Sequence, residues 1–391
     1  MRFRRLITVA GLALAGILFA AQVRQLLADP TVWPPDDFIE YWAAARLTLD
    51  GKNPYDGEQL LPLQQAAGRD TDEAVMMWNP PWTLAVVLPL GAIEPRLAQL
   101  IWLGLNLAAI LVCGDRLWLL LGGTRERRWI GWAAALGFMP SLFALQSGQI
   151  PPLVLLGAVL FLECRHRGWP VLAGAATLLL AIKPHLAYLV WLAILCEAIS
   201  TRKFSVITGG IAAGVVATLV ALAFDPHVLQ QYADAMGNNP PSQWMTLTLG
   251  TVLRMILGPE LFRLQFVPLV FGLVWFALHW RKHGKVWNWN EQLPLLLLVS
   301  FITTPYGAWP FDMVLLLPAI IVLLVNWQRE RLAHPAVILG SLAAVNLACL
   351  VMNVWKTGSF AFIWVPPALL ALYIVGSRKP QPQAQPFAVA A

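Results

Sequence analysis

The side chains best suited to chemistry fall in one stretch, Pro35-Asp-Asp-Phe-Ile-Glu-Tyr-Trp-Ala-Ala-Ala-Arg-Leu-Thr-Leu-Asp-Gly-Lys-Asn-Pro-Tyr-Asp56. Two adjacent acids, Asp36 and Asp37, open a predicted helix with Phe38, Trp42, Ala45 and Leu49 on one face. Gly51 stands where a C-terminal cap belongs. This spacing predicts a short helix at a membrane surface. A carboxylate held at its start can take a proton from an attacking hydroxyl. Asp37 followed three residues later by Glu40 also fits a variant of the capping box. The two readings are compatible, because a capping acid can also serve as a base.

Isolated cations come next. Ala181-Ile-Lys-Pro-His185 interrupts an apolar stretch, and Lys183 is the one charge between Arg167 and Glu197. Burying an unpaired charge is expensive, so such a residue is a functional candidate. Lys183 beside the helix-breaking Pro184 suits a point charge aimed at a phosphate; a lysine snorkelling from a helix end explains it as well. Arg254, in Thr248-Leu-Gly-Thr-Val-Leu-Arg254, is a similar lone cation. Gln149, in Ser147-Gly-Gln-Ile-Pro-Pro152, fits either a turn or a substrate contact. His279 and His283 have helical spacing, but Arg281, Lys282 and Lys285 around them indicate a cytoplasmic interface rather than a metal. Gly210 and Gly214 read as close helix packing. The four cysteines form no framework and read as small buried hydrophobes. There is no phosphate-binding loop or dinucleotide fingerprint, and neither a cofactor nor a metal is expected.

The elements that must carry these residues are set by composition. Of 391 residues, 58% are hydrophobic and 12% charged, about half the charge of an ordinary soluble domain. A soluble globule would need polar faces that this chain does not have, so it reads as an all-α polytopic membrane protein. The net charge of +6 is no nucleic-acid footprint, because Lys and Arg cluster between apolar runs. Those clusters, kept on one side, thread about twelve spans with both termini cytoplasmic. A basic start followed by an apolar run over 6–23 reads as an uncleaved first span. The short, Pro-rich Trp78–Leu90 reads as re-entrant or half-inserted. Residues 1–379 form a single expected domain, with outer loops at 28–76 and 225–250, and 380–391 are an expected disordered tail. The first outer loop holds ten of the 21 acidic residues against three basic ones, the charge bias of an outward segment.

The motif set resembles glycosyltransferase family 87, bacterial polyprenyl-phosphate-sugar-dependent transferases of the GT-C superfamily that include mannosyltransferases. It is carried by Asp37-Phe-Ile-Glu-Tyr-Trp-Ala-Ala-Ala-Arg and Gly51-Lys-Asn-Pro-Tyr55, then Trp78-Asn-Pro-Pro-Trp82 and Ser147-Gly-Gln-Ile150. Ile182-Lys-Pro-His185, Thr248-Leu-Gly with Arg254, and Thr304-Pro-Tyr with Phe311-Asp-Met-Val-Leu-Leu316 follow in order. The resemblance implies a bundle of membrane helices, a first outer loop with juxtamembrane helices, and an active site on the outer face of a bacterial cytoplasmic membrane. It implies Asp37 as catalytic base. Lys183, Arg254 and His185 are expected at the donor phosphate, and Asp36, Tyr41, Gln149, Tyr306 and Asp312 around the substrates. The expected partners are a polyprenyl-phosphate-linked sugar, a lipid or glycan acceptor of the cell envelope, and membrane lipids, with no nucleic acid. One departure is visible: the late outer motif of the mannosyltransferases carries histidine, whereas Ala308-Trp-Pro-Phe-Asp312 offers Asp312. A transporter or lipid-linked-sugar flippase is the rival class, although no internal repeat supports it.

Overall fold

A computed structural model describes Arg24 and residues 33–240, 243–332 and 334–377. The expected first span over 6–23 and the tail over 380–391 lie outside the described residues. Among those residues there is no strand. In an apolar medium a helix satisfies its own backbone hydrogen bonds, and an open strand does not.

In chain order the helices are α1 (Phe38–Leu49), α2 (Gly57–Ala66), α3 (Leu84–Gly91), α4 (Pro95–Leu120), α5 (Arg128–Gly137), α6 (Met139–Ser147), α7 (Pro151–His166) and α8 (Pro170–Leu180). They continue as α9 (Tyr188–Thr201), α10 (Ser205–Phe224), α11 (Val228–Asn238), α12 (Leu249–Leu257), α13 (Val267–His283), α14 (Trp289–Thr303), α15 (Leu317–Gln328), α16 (Pro335–Val354) and α17 (Val365–Gly376). Seven described helical stretches are long and apolar enough to cross a membrane, or eight if the pair α5–α6, bent by 57°, is one span. Among the described residues, which leave out the expected first span, the expected count of about twelve is not reached; a further short apolar helix lies over Pro170–Leu180. The segment read as re-entrant is a helix over Pro81–Gly91. At about 1.5 Å per residue it is far shorter than the ~30 Å hydrocarbon layer.

Contacts cluster into two compact units where the sequence reading has one domain over 1–379. The first comprises Met1–Leu105 with Ala217–Asn238, the second Asn106–Val216 with Asn239–Ala391.

In the first unit, α1 is buried nearly all round, from Phe38 to Thr48 apart from Arg46. Burial therefore extends well beyond the expected apolar face. The reason lies in its small residues. Ala43, Ala44 and Ala45 are fully buried, and a Cβ on Gly91 of α3 would stand 2.5 Å from the Arg46 backbone nitrogen. The two backbones therefore approach more closely than any side chain would permit. Phe38 and Tyr41 pack against Trp102, with ring centroids 6.4 and 5.4 Å away, and Trp42 Nε1 donates to the Ile93 carbonyl at 3.0 Å. The helix ends as expected at Gly51, in the left-handed region at φ +66°. Lys52 N–H returns to the Leu47 carbonyl at 2.8 Å, the bond of a Schellman cap.

In the second unit, α14 is the central element, with Leu293, Leu296, Leu297 and Leu298 buried. It packs on α9, α13, α15 and α17. The bend before α6 is held by Asn346, whose Oδ1 accepts from Met139 N–H at 3.0 Å. Polar side chains tie the basic ends of the helices together. Arg128 grips Asp115 with bonds of 2.7 and 2.8 Å. Glu197 accepts from both Arg165 and Trp289 Nε1. Close packing at α10 falls at Gly209 and Gly210, against Val171, Gly174 and Thr177, rather than at the expected Gly210–Gly214 pair.

The crossing of α1 and α3 makes a sharp prediction. Gly91→Ala forces two backbones apart and is expected to cost about 1–3 kcal/mol, read as a lower unfolding midpoint in detergent. Gly104→Ala, on α4 with open space around its Cβ, is expected to be neutral or to stabilise by up to about 1 kcal/mol. Equal behaviour of the two variants would refute the close approach.

Candidate functional site

The candidate residues fall in both units. In the first unit the two acids stand at the mouth of α1. Asp36 has φ +43°, a left-handed conformation uncommon for non-glycine residues, although aspartate is among those that adopt it most readily. Asp37 already has helical angles, φ −72° and ψ −18°, and its side chain makes no capping hydrogen bond to α1. The capping role that the sequence left open is therefore not exercised. Desolvation, and then the adjacent Asp37 charge, push the Asp36 carboxyl up to about 6, against the opposing pull of Arg69. Tyr41, expected near a substrate, is fully buried with its ring against Trp102, where it supports α1. Further along, Tyr55 donates its hydroxyl to the Asn79 carbonyl at 3.2 Å, and its ring lies 5.2 Å from that of Tyr232 of α11, tilted by 58°. The Asn-Pro-Tyr and Trp-Asn-Pro-Pro-Trp motifs thus meet in space.

In the second unit five expected residues are brought together. The helical chain breaks between α8 and α9, where Pro184–Ala187 form a 3₁₀ turn. It breaks again after α14, before a second 3₁₀ stretch over Pro310–Leu316. Lys183 Nζ donates to Asp312 Oδ1 at 2.8 Å, with the Asp312 side chain fully buried. Asp312 Oδ2 accepts the Trp309 N–H at 2.9 Å, so both carboxylate oxygens are engaged. The Lys183 ammonium also lies 4.9 Å above the Phe311 ring. His185 donates through Nε2 to the Gly307 carbonyl at 3.3 Å, and its ring sits 5.6 Å from that of Tyr306. Tyr306 in turn meets Trp244 edge-on at 6.2 Å. Gly307, at φ +73°, is required twice over, since a Cβ there would also stand 2.5 Å from His185 Nε2.

Arg254 is buried in α12. Its guanidinium donates to the carbonyls of Pro259, at 2.7 and 3.0 Å, and of Trp244, at 3.3 Å, and to Gln265 Oε1 at 3.3 Å. Gln265 Nε2 continues the network to Thr248 and Thr251 and to the Pro305 carbonyl. Gly307 N–H donates to Thr246 Oγ1 at 3.1 Å. Gln149 is buried at the junction of α6 and α7. Its backbone N–H returns to the Ala144 carbonyl at 3.0 Å, with Gly148 left-handed at φ +68°, so the turn reading of this motif holds for the backbone. Trp244, Thr246 and Gln265 were missed from the sequence. Gln265 carried a signal, being a polar residue inside the apolar run Leu261–Trp280.

The second group combines a lysine pre-aimed by a carboxylate, a buried arginine and two aromatic rings. That set can recognise an anion carried by an apolar molecule. The first group offers a carboxyl pair whose shared charge is costly to keep, the usual condition for a proton acceptor near neutral pH.

Comparison with known proteins adds three findings. The family model for glycosyltransferase family 87 matches residues 78–353, more than half of the chain; the acid pair precedes the matched region. No curated protein matches the sequence. Among solved structures, ArnT from Cupriavidus metallidurans in the apo state is similar at 15% identity and a TM-score of 0.39. The match covers 93% of this chain and 75% of that one, a likeness too remote to bear on function.

The ion pair carries a prediction of its own. Removing one partner of a buried pair typically costs about 3–5 kcal/mol, whereas replacing both with apolar groups is far less harmful. Asp312→Leu alone and Lys183→Met alone are each expected to unfold markedly earlier in detergent. The double variant should recover much of the loss. Strict additivity of the two losses would show that the pair is not coupled.

Proposed function

The chain belongs to glycosyltransferase family 87 and is a multi-pass membrane glycosyltransferase, which sets aside the transporter reading; from that premise we propose its donor, its base and its sidedness. The donor is a polyprenyl-phosphate-linked sugar, mannose or a similar hexose or pentose. The acceptor is a hydroxyl of an envelope lipid or glycan. Asp37 takes the proton of that hydroxyl as its oxygen bonds to the anomeric carbon. The bond from that carbon to the phosphate oxygen breaks on the opposite face, so configuration inverts and polyprenyl phosphate departs. Lys183, Arg254 and His185 face the charge that gathers on the phosphate, electrostatic help of a kind worth about 10²–10³-fold per group in a dry site. Asp36, Gln149 and Tyr306 line the substrates, while Asp312 acts by holding Lys183. The observation that carries the base assignment is the Asp37 carboxylate, placed at the head of a buried helix and not used to cap it. The site opens to the outer face of the bacterial cytoplasmic membrane, with both termini inside.

Asp37→Asn keeps size and helix-start propensity but cannot accept a proton. Turnover, followed as polyprenyl phosphate released by purified protein, is expected to fall by at least about a hundredfold with donor binding retained. Retention of more than about a tenth of the activity would reduce Asp37 to a structural role. Lys183→Met should weaken donor binding as well as turnover. Asp36→Asn should stay active near pH 7.5, and its pH profile is diagnostic. Burial and the Asp37 charge let Asp36 take up a proton near pH 6, which removes a negative charge beside the proposed base. In the unaltered protein kcat/KM should therefore fall as the pH drops through about 6. With Asn at 36 that inflection should be absent. An inflection that survives the substitution would show that Asp36 does not set it.

Sidedness is checked by single cysteines at 70 and 202. Asp70 lies in the acidic loop and Arg202 in a basic cluster, so a membrane-impermeant thiol reagent should label only the first from outside. Labelling of both from one side would overturn the topology.

A further inference from the structure

Two buried polar side chains in the first turns of α4 have no part in the chemistry above. Arg96 and Gln99 are 7% and 3% exposed. Their hydrogen bonds run to the chain just ahead of the acid pair. Arg96 Nη1 donates to the Trp33 carbonyl at 2.6 Å, and Gln99 Nε2 donates to the Pro34 carbonyl at 2.9 Å. Arg96 Nη1 also donates to Gln99 Oε1 at 2.6 Å, which locks the two side chains to each other. The guanidinium lies 5.7 Å over the Trp33 ring. The helix that carries them is itself anchored, since Glu94 accepts the N–H groups of Arg96 and Leu97 at 3.0 and 2.9 Å.

The sequence explains why such a grip is needed. Pro34 and Pro35 have no N–H, so at those two residues the backbone can be held only by its carbonyls. Those need donors from elsewhere, and a guanidinium and a carboxamide supply them. The next residue, Asp36, sits at φ +43°, a left-handed conformation that aspartate tolerates better than most residues but that is still disfavoured.

We infer that Arg96 and Gln99 are positioning residues for the acid pair: by holding the carbonyls of Trp33 and Pro34 they fix where Asp36 and Asp37 enter α1. This rests on the proposed role of Asp37 as base. A base displaced by about 1 Å can lose ~10²-fold in rate without any change in substrate contacts, so the loss falls on kcat.

The test measures release of polyprenyl phosphate and compares kcat with the donor KM. Arg96→Met is expected to lower kcat by about 10- to 100-fold while KM stays within about twofold. Arg96→Lys, which can still donate to a carbonyl, should recover part of the loss. In the Asp37→Asn background Arg96→Met should change the residual turnover by less than about twofold, because residues acting as a unit are not additive. A folded Arg96→Met protein with unaltered kcat, or the full loss repeated on top of Asp37→Asn, overturns the inference. Should Arg96→Met not accumulate folded, Gln99→Leu carries the same expectations, since it removes only the grip on Pro34. An active Asp37→Asn enzyme would sink the base assignment itself. Unaltered kcat in the Arg96 and Gln99 variants beside an inactive Asp37→Asn would sink only the clamp.

Discussion

A broken helix in an apolar chain exposes backbone groups that only other protein groups can satisfy, and the second unit is organised around two such breaks. The chain leaves helical geometry at Lys183 and again after Thr303, and the two breaks meet. His185 takes the Gly307 carbonyl. Tyr188 and Thr303 share a hydrogen bond of 2.7 Å between their hydroxyls, and Leu189 N–H donates to Ser300 Oγ at 3.2 Å. Gln265 closes the Pro305 carbonyl, and Thr246 closes the Gly307 N–H. The polar residues are there first to pay the backbone's debt. Lys183 and Asp312 sit in the same place because it is where an apolar scaffold can carry charge at all.

The first unit solves a different problem. Its acids belong to a loop, and loops are mobile unless tied down. Burial of α1 on nearly every side removes the freedom of the helix they lead into. Three consecutive alanines and Gly91 permit that burial. The segment before the acids is fixed separately, through carbonyls gripped from α4. Between these two anchors, Asp36 can be kept in a backbone conformation that is otherwise disfavoured.

Composition made the helical, membrane-spanning character legible, because 58% hydrophobic residues admit few other solutions. Gly51 as a helix terminator was readable from local chemistry, and the lone position of Lys183 marked it out. The burial of α1 was not legible, since an alanine run says nothing about what lies on its far side. The sequence also could not reveal that Lys183 and Asp312 are partners, because that depends on how distant breaks align. Arg96 and Gln99 escaped notice for a simple reason. At the start of a long helix, polar residues look like solvated ends, and only the structure shows them turned toward Trp33 and Pro34. The exact number of spans was not legible, because several apolar runs are shorter than the ~20 residues a full span needs.

The Lys183–Asp312 bond joins residues 129 positions apart, and that separation has a meaning for synthesis. At about 5–20 residues per second, the lysine emerges from the ribosome roughly ten seconds before its counter-ion exists. During that interval α9 and the following spans must be accommodated with a bare ammonium at their edge. The charge balance of this region is thus completed late, by a residue made long after the one it neutralises. The nascent chain reaches its electrically balanced state only when the Pro310–Leu316 turn folds back on the earlier break.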